Sequence, residues 1–187
     1  MIDYIEDLIP KEKQNLIEDY VKDSSFPYRF HKTHIYENGE SGNSPLQLTH
    51  HLMMYGEERV SPHFPIITSV YDRLIKLYGG ITLFRAKVNC TFPDPTRTGY
   101  EPHERHTDLK YDDGRKIPHL VCLYYINDSD GPTYFYDGDK ISLAIPPKKG
   151  SAVVFDGSII HAGSNPIHNP FRFALNINFR KGLNQIL

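Results

Sequence analysis

Residues 171–179, Phe-Arg-Phe-Ala-Leu-Asn-Ile-Asn-Phe, alternate strictly between two kinds of side chain. The odd-numbered positions are all Phe, Leu or Ile, whereas the even-numbered positions are Arg172, Ala174, Asn176 and Asn178. Successive side chains of a β-strand point to opposite faces of its sheet, so this alternation predicts a strand rather than a helix. We expect one face of that strand to lie in an apolar core and the other to line a polar pocket.

Arg172 requires an anionic partner in such a pocket, because a buried guanidinium without one is strongly destabilising. The planar guanidinium matches a carboxylate in bidentate geometry. Two partners meet this requirement, namely an Asp or Glu of the chain itself or the carboxylate of a bound ligand. We favour the ligand, because other residues of the sequence have the pattern of a metal site.

Short alternating segments separated by Gly, Pro, Asn and Asp turns fill most of the chain after residue 80. Besides 171–180, the predicted strands are 81–92, 119–126, 133–136, 140–145, 150–155 and 159–161. Before them, apolar spacing predicts a helix over 2–22, with Pro10 suited to the first turn of a shorter helix over 10–22, and a second helix within 62–78. Seven or eight short strands after two helices predict a mainly β (α+β) fold, a sandwich or jelly roll with the N-terminal helices packed on one sheet.

The length of 187 residues suits one domain, which we divide into a helical N-terminal support over 1–80 and a jelly-roll core over 81–180. The net charge of −2 argues against a nucleic-acid partner. No apolar run is long enough to cross a bilayer. Two cysteines and an acidic, interrupted N-terminus favour a reducing, cytoplasmic location. None of these features defines an oligomeric state.

His106 and Asp108 are separated by one residue, so on a strand they would point to the same side. An imidazole and a carboxylate are two of the three ligands of a mononuclear ferrous site, which uses two histidines and one carboxylate. The second histidine should come from a distant strand, and His161, which follows the Asp156-Gly157 turn, fits this requirement. Each of the three could otherwise be a solvated residue at a strand end. Their order in the chain favours an Fe(II) site.

Charge supplies a second argument for the nature of the ligand. Fe(II) with two neutral imidazoles and one carboxylate has a net charge of +1, and Arg172 adds a further positive charge. The dicarboxylate 2-oxoglutarate would neutralise both, chelating the iron with its keto-acid end and reaching Arg172 with its other end. We therefore interpret His106, Asp108, His161 and Arg172 as the catalytic residues.

Residues 81–180 resemble the Fe(II)/2-oxoglutarate-dependent dioxygenase superfamily, specifically its prolyl-4-hydroxylase-like branch, and are similar to small bacteriophage members. The matching segments are His106-x-Asp108, Cys122-Leu-Tyr-Tyr-Ile-Asn127, Asp130-Gly-Pro-Thr133, Pro147-Lys-Lys-Gly-Ser-Ala-Val-Val-Phe-Asp156, His161-Ala-Gly163 and Arg172-Phe-Ala174. The resemblance implies a double-stranded β-helix (jelly roll) with the metal between its two sheets.

The resemblance also implies the roles of individual residues. His106, Asp108 and His161 would bind iron, and Arg172 would bind the distal carboxylate of 2-oxoglutarate. Tyr125 matches a position that often contacts the same carboxylate, and Ala174 belongs to the same cofactor-binding segment as Arg172. The chain departs from the family at Phe92, which stands where some relatives place a tyrosine that contacts the co-substrate. It also departs at Arg172, where collagen-type prolyl hydroxylases usually have lysine.

The activity that the resemblance implies is O2-dependent hydroxylation of an unactivated C–H bond, with release of succinate and CO2 and with ascorbate as a candidate auxiliary reductant. The substrate would be a prolyl residue of a peptide or a small molecule. We expect substrate contacts from the loop 93–105, at Tyr100 and Arg97, and from Asn89 on the preceding strand.

Two other classes of function stay open. One is a cupin-like metal enzyme that does not use 2-oxoglutarate, although cupins usually bring more histidine ligands and would leave Arg172 without a purpose. The other is a non-catalytic jelly-roll binding module, against which the complete set of metal-binding residues argues.

Overall fold

A computed structural model describes residues 1–31, 47–54, 60–95, 99–109 and 117–182 of the chain. The helices in these ranges are α1 (Lys11–Lys22), a 3-10 helix (Phe64–Ile67) and α2 (Thr68–Tyr78). The strands are β1 (Ile2–Ile5), β2 (Arg29–His31), β3 (Gln47–Met54), β4 (Ile81–Thr91), β5 (Leu120–Tyr125), β6 (Thr133–Asp137), β7 (Lys140–Ile145), β8 (Ala152–Asp156), β9 (His161–Ala162) and β10 (Arg172–Lys181).

The strands form two antiparallel sheets that pack face to face. The larger sheet has the order β1-β8-β5-β10-β4-β3-β2, and the smaller has the order β7-β6-β9. Apolar side chains of β5, β8 and β10 meet those of β6 and β7 between the sheets. This two-layer arrangement confirms the predicted mainly β, jelly-roll fold.

Both α-helices cover the opposite face of the larger sheet. Ile17 and Val21 of α1 and Val70 and Leu74 of α2 are buried in one apolar cluster with side chains of the sheet. This confirms the prediction that helices pack on one sheet. No helix in the described ranges is long and apolar enough to span a membrane.

The central strand β10 has the two faces that its sequence predicts. Phe173, Leu175, Ile177 and Phe179 are buried in the cluster beneath the helices. Arg172, Asn176 and Asn178 are also buried, but they lie on the side of β10 that faces the smaller sheet. The same strand therefore contributes to the apolar core and to a polar cavity.

The first 80 residues contribute more than helices to the fold. Residues 2–5 are strand β1, not the start of a helix, because they pair with the free edge of β8. The helix that follows begins at Lys11, in agreement with the shorter prediction over 10–22. Strands β2 and β3 extend the other edge of the larger sheet beyond β4.

A β-bulge changes the prediction for one residue of β4. Strict alternation along this strand would place Leu83 on the same face as Arg85, Lys87 and Asn89. In the structure Asn178 of β10 pairs with Arg85, but the next residue of β10 pairs with Leu83, so β4 contains one extra residue. Such an extra residue reverses the direction of the side chains that follow it. Leu83 consequently lies in the apolar cluster beneath the helices.

We expect Leu74→Ala to destabilise the protein by about 2–5 kcal/mol, because the fully buried leucine would leave a cavity between α2 and the sheet. Leu77→Ala on the same helix, where the side chain is 39% exposed, should change stability by less than about 1 kcal/mol. Urea denaturation of both variants measures the difference. Equal losses of stability would contradict the packing of α2 described above.

The two cysteines should be unreactive while the protein is folded. Burial raises the pKa of both Cys90 and Cys122 to about 12. A free thiol, with its ordinary pKa of about 8.5, is partly ionised near pH 8, whereas these two thiols form almost no thiolate there. We expect slow reaction with a chromogenic disulfide reagent in buffer and complete, rapid reaction in denaturant. Rapid labelling of either thiol in the folded protein would contradict its burial.

Candidate active site

His106, Asp108 and His161 come together between the two sheets. The backbones of His106 and His161 exchange two hydrogen bonds, with N···O distances of 3.0 and 3.1 Å. Nε2 of His106 lies 3.9 Å from Oδ1 of Asp108, and one ligand atom from each of the three residues lies within 4.8 Å of the others. The strand predicted through 106–108 is reduced to a single bridge at His106, followed by a bend at Asp108. The three predicted ligands nevertheless converge.

Hydrogen bonds to the backbone orient both imidazoles for metal binding. Nδ1 of His106 lies 3.0 Å from the carbonyl oxygen of Glu104, and Nδ1 of His161 lies 3.1 Å from that of Ile159. A carbonyl oxygen only accepts, so each Nδ1 is the donor, and Nε2 is the nitrogen of each ring that is left for a metal ion. Burial and the neighbouring His161 lower the pKa of His106 to about 4, which keeps its imidazole neutral. Neutral imidazole is the form that binds metal.

Asp108 is held by three donors from two adjacent strands. Nη2 of Arg85 donates to Oδ1 at 2.8 Å, while Nδ2 of Asn176 and Nδ2 of Asn178 donate to Oδ2 at 3.0 and 2.8 Å. The Nε of Arg85 also donates to Oδ1 of Asn178 at 2.8 Å. Burial alone would raise the pKa of the Asp108 carboxyl, but Arg85 and its other neighbours hold it well below its usual value. The carboxylate is therefore ionised, and Oδ1 retains a lone pair for a metal ion.

Arg172 is 5% exposed and has no acidic partner among the described residues. Its Nε donates to the carbonyl oxygen of Gly131, and its Nη2 donates to Oγ1 of Thr133, both at 2.8 Å. The hydroxyl of Tyr125 also donates to Oγ1 of Thr133 at 2.8 Å, and the guanidinium lies 5.8 Å from the centre of the Tyr125 ring. Neutral groups thus position the guanidinium without neutralising it. The sequence left two kinds of partner open, and the described residues place no carboxylate of the chain against the guanidinium.

A single cavity connects the three candidate metal ligands with Arg172. Arg172 and Asn176 lie on the same face of β10, and four residues of strand separate them by about 13 Å. Among the buried side-chain oxygens that have no hydrogen-bond partner in the described part of the chain are Oδ1 of Asn89, Oγ1 of Thr91 and Oδ1 of Asn176. All three of these residues line the cavity. Unsatisfied buried oxygens and an uncompensated cation suit a polar, anionic ligand.

The other predicted site residues occupy different places. Asn89 lines the cavity. Ala174 is buried on the cavity side of β10, in register with Asn89, but it does not line the cavity. Tyr100 is 40% exposed, lies outside the cavity lining, and donates its hydroxyl to Oδ2 of Asp130 at 3.1 Å. Arg97 lies outside the described residues.

Two cavity residues on β4 were not recognised from the sequence. The first is Thr91, which lines the cavity. The next residue, Phe92, instead packs its ring against Phe171, with ring centres 6.1 Å apart. Lys87 also lines the cavity, and burial lowers its pKa to about 8. The signal was present in the sequence, since Arg85, Lys87, Asn89 and Thr91 follow one another at every second position of the strand.

The fold is shared with several oxygenases of known structure. One is a 2OG-Fe(II) oxygenase-family oxidoreductase from Burkholderia pseudomallei, with a TM-score of 0.69 and 12% identity over 97% of this chain and 85% of that one. Another is a prolyl hydroxylase from Trichoplax adhaerens in complex with a hypoxia inducible factor peptide fragment, with a TM-score of 0.67 and 17% identity over 96% and 83% of the two chains. A third is a prolyl-4-hydroxylase from Pseudomonas putida, with a TM-score of 0.61 and 14% identity over 97% and 93%.

These likenesses establish the fold of the chain. No protein-family model matches its sequence, and no curated protein sequence matches it. The chemistry of the site therefore has to be argued from the side chains themselves. Two imidazoles and one ionised carboxylate around a common point form a donor set suited to Fe(II), with other coordination positions left open.

We expect His161→Ala and Asp108→Ala to weaken Fe(II) or Mn(II) binding by more than about a hundredfold, beyond the 10–100-fold typical of residues that only orient a ligand. His168→Ala should bind metal like the wild type, because its side chain is exposed and outside the cavity. Anaerobic titration with Mn(II), followed by electron paramagnetic resonance, measures the free ion. Unchanged affinity in the His161 variant would exclude the proposed ligand set.

Proposed function

We propose that this protein is an Fe(II)- and 2-oxoglutarate-dependent dioxygenase that hydroxylates an unactivated C–H bond. The observation that carries this proposal is the buried Arg172 guanidinium, which has no carboxylate partner among the described residues and shares a cavity with the His106, Asp108 and His161 cluster. A keto dicarboxylate has one end for each of these two features.

The chain's own residues would hold the metal in a defined position. His106 and His161 would bind it through Nε2 and Asp108 through Oδ1. With Fe(II) bound there, 2-oxoglutarate and O2 would be converted to succinate and CO2, and one oxygen atom would enter the substrate as a hydroxyl group. Ascorbate would serve in assays as a reductant that keeps the iron in its ferrous form.

The hydrogen bonds around Asp108 would maintain this geometry. Asn176 and Asn178 occupy Oδ2 with two donors, which favours Oδ1 as the single metal-binding oxygen. Arg85 keeps the carboxylate ionised before metal arrives and prevents it from rotating. The strands β4 and β10 therefore position the metal through one carboxylate.

Arg172, Thr133 and Tyr125 would bind the distal carboxylate of 2-oxoglutarate. Two of the three guanidinium nitrogens are used by Gly131 and Thr133, and Nη1 makes no hydrogen bond with the described residues. Oγ1 of Thr133 accepts from Tyr125 and Arg172, so its own hydroxyl hydrogen is available to a ligand. Together these groups offer a carboxylate one charge-assisted donor and one neutral donor.

The proposed substrate is a prolyl residue of a peptide or a small molecule. The prolyl alternative is supported by the shared fold with the Trichoplax adhaerens prolyl hydroxylase, whose structure includes a peptide. The small-molecule alternative is supported by the polar groups inside the cavity that neither the metal nor 2-oxoglutarate would use.

We expect Arg172→Met to weaken 2-oxoglutarate binding by about tenfold to a hundredfold, because it removes a charged donor from a buried carboxylate site. The control is Arg180→Met, which changes an exposed arginine near the other end of the same strand and should leave binding unchanged. The measurement is the visible absorption that forms anaerobically when 2-oxoglutarate is added to the Fe(II) protein, followed by succinate release in air.

Three outcomes separate the classes of function. A 2-oxoglutarate-dependent absorption that Arg172→Met weakens supports the dioxygenase. Metal binding with no response to 2-oxoglutarate would favour a cupin-like enzyme and contradict the proposal. Absence of metal binding would favour a non-catalytic binding module.

A further inference from the structure

Lys87 lies on the cavity side of β4, and neither the proposed metal site nor the proposed 2-oxoglutarate contacts use it. Its cross-strand neighbour on β10 is Asn176, whose amide donates to the carboxylate of Asp108. Lys87 therefore stands at the metal end of the cavity. Arg172 stands four residues away along β10, at the other end.

The Lys87 ammonium forms no hydrogen bond or ion pair with the residues that the structure describes. Arg85, which precedes it on the same strand face, is already paired with Asp108. Among the described residues that line the cavity, Asp108 is the only acidic one. Asp108 also attracts the Lys87 ammonium electrostatically, but its single negative charge is shared with Arg85, which contacts it directly. The three groups together keep one excess positive charge, and this favours an anionic group from outside the chain.

The proposed co-substrate does not supply this group. Fe(II) and dianionic 2-oxoglutarate neutralise each other, and Arg85 and Asp108 do the same. The positive charges of Lys87 and Arg172 then have no counterpart among the lining residues. Since 2-oxoglutarate would place its carboxylates at the metal and at Arg172, Lys87 remains available to a second anion beside the metal.

Two acceptors near Lys87 require a donor from the same ligand. Asn176 uses its Nδ2 to donate to Asp108, so its Oδ1 is the atom left over, and this oxygen is buried without a partner in the described part of the chain. Asn89 follows Lys87 on the same face of β4, and its Oδ1 is likewise buried without a hydrogen-bond partner among the described residues. Carbonyl oxygens only accept, so both need a hydrogen-bond donor, and an ammonium group, with three N–H donors, can serve both at once.

We infer that the substrate is a free amino acid, whose carboxylate binds Lys87 and whose amino group donates to Oδ1 of Asn89 and Oδ1 of Asn176. This inference rests on the proposed function and narrows its substrate class. An internal residue of a peptide has neither a free α-carboxylate nor a free α-amine. A free amino acid brings both on adjacent atoms.

The test begins with the wild-type protein loaded anaerobically with Fe(II) and 2-oxoglutarate. Each standard amino acid is titrated in, and binding is followed by the change in visible absorption and by calorimetry. For every amino acid that binds, the methyl ester and the N-acetyl derivative are compared with the free form. We expect each derivative to bind about tenfold to a hundredfold more weakly, because one charged hydrogen bond is lost in each case.

Variants of Lys87 identify the group that receives the carboxylate. Lys87→Met should weaken binding of the free amino acid by the same factor as esterification of the ligand does. It should not weaken binding of the methyl ester further, because both changes remove the same interaction. Lys87→Arg keeps the charge and should restore most of the affinity. Lys76→Met on α2, which changes an exposed lysine outside the cavity, is the matched control and should have no effect.

The affinity for 2-oxoglutarate distinguishes the inference from its alternatives. It should stay within about twofold of the wild type in Lys87→Met, since the two sites share no direct contact. A tenfold loss would instead make Lys87 a co-substrate contact and overturn the inference. Equal binding of acid and ester, or no binding of any amino acid while the 2-oxoglutarate absorption forms, would also overturn it and leave the proposed function intact. Absence of that absorption in the wild type would overturn both.

Discussion

The carboxylate of Asp108 connects the parts of the molecule on which the site depends. It accepts hydrogen bonds from Arg85 of β4 and from Asn176 and Asn178 of β10, and it lies 3.9 Å from the imidazole of His106. A buried carboxylate is stable only when its charge and its lone pairs are satisfied. The two central strands meet this requirement while leaving one oxygen for a metal. The position of the site is therefore built into the middle of the larger sheet.

The strand β10 shows how the same few residues serve stability and chemistry. Its odd-numbered residues, from Phe173 to Phe179, pack beneath the helices, and its even-numbered residues hold Arg172 at one end and the Asp108 contacts at the other. Because the strand is central and paired on both sides, its side chains have little freedom to move. A rigid support of this kind keeps two charged features of the cavity at a constant separation.

With a metal and a keto dicarboxylate bound, the side chains of the cavity would still carry excess positive charge. Arg172 is positioned by neutral groups, and Lys87 forms no hydrogen bond or ion pair with the described residues. Burying such groups is unfavourable in the empty protein and becomes favourable only when anions enter. Ligand binding should therefore stabilise the folded state. Lys87 at the metal end of the cavity and Arg172 at the other end provide separate binding positions for two anions.

The sequence by itself predicted the jelly-roll class, both faces of β10, the three residues that converge as candidate metal ligands and the buried arginine, because strand alternation and residue chemistry are local properties. It could not predict that residues 2–5 form an edge strand, since the same apolar spacing suits a helix until β8 offers a partner. It also could not place Leu83, whose direction depends on a bulge opposite β10. Only the tertiary structure showed that Arg172 lacks a carboxylate partner among the described residues and that Lys87 faces the metal end of the cavity. Pairing of charges across the fold depends on which distant strands become neighbours, and a linear pattern does not contain that information.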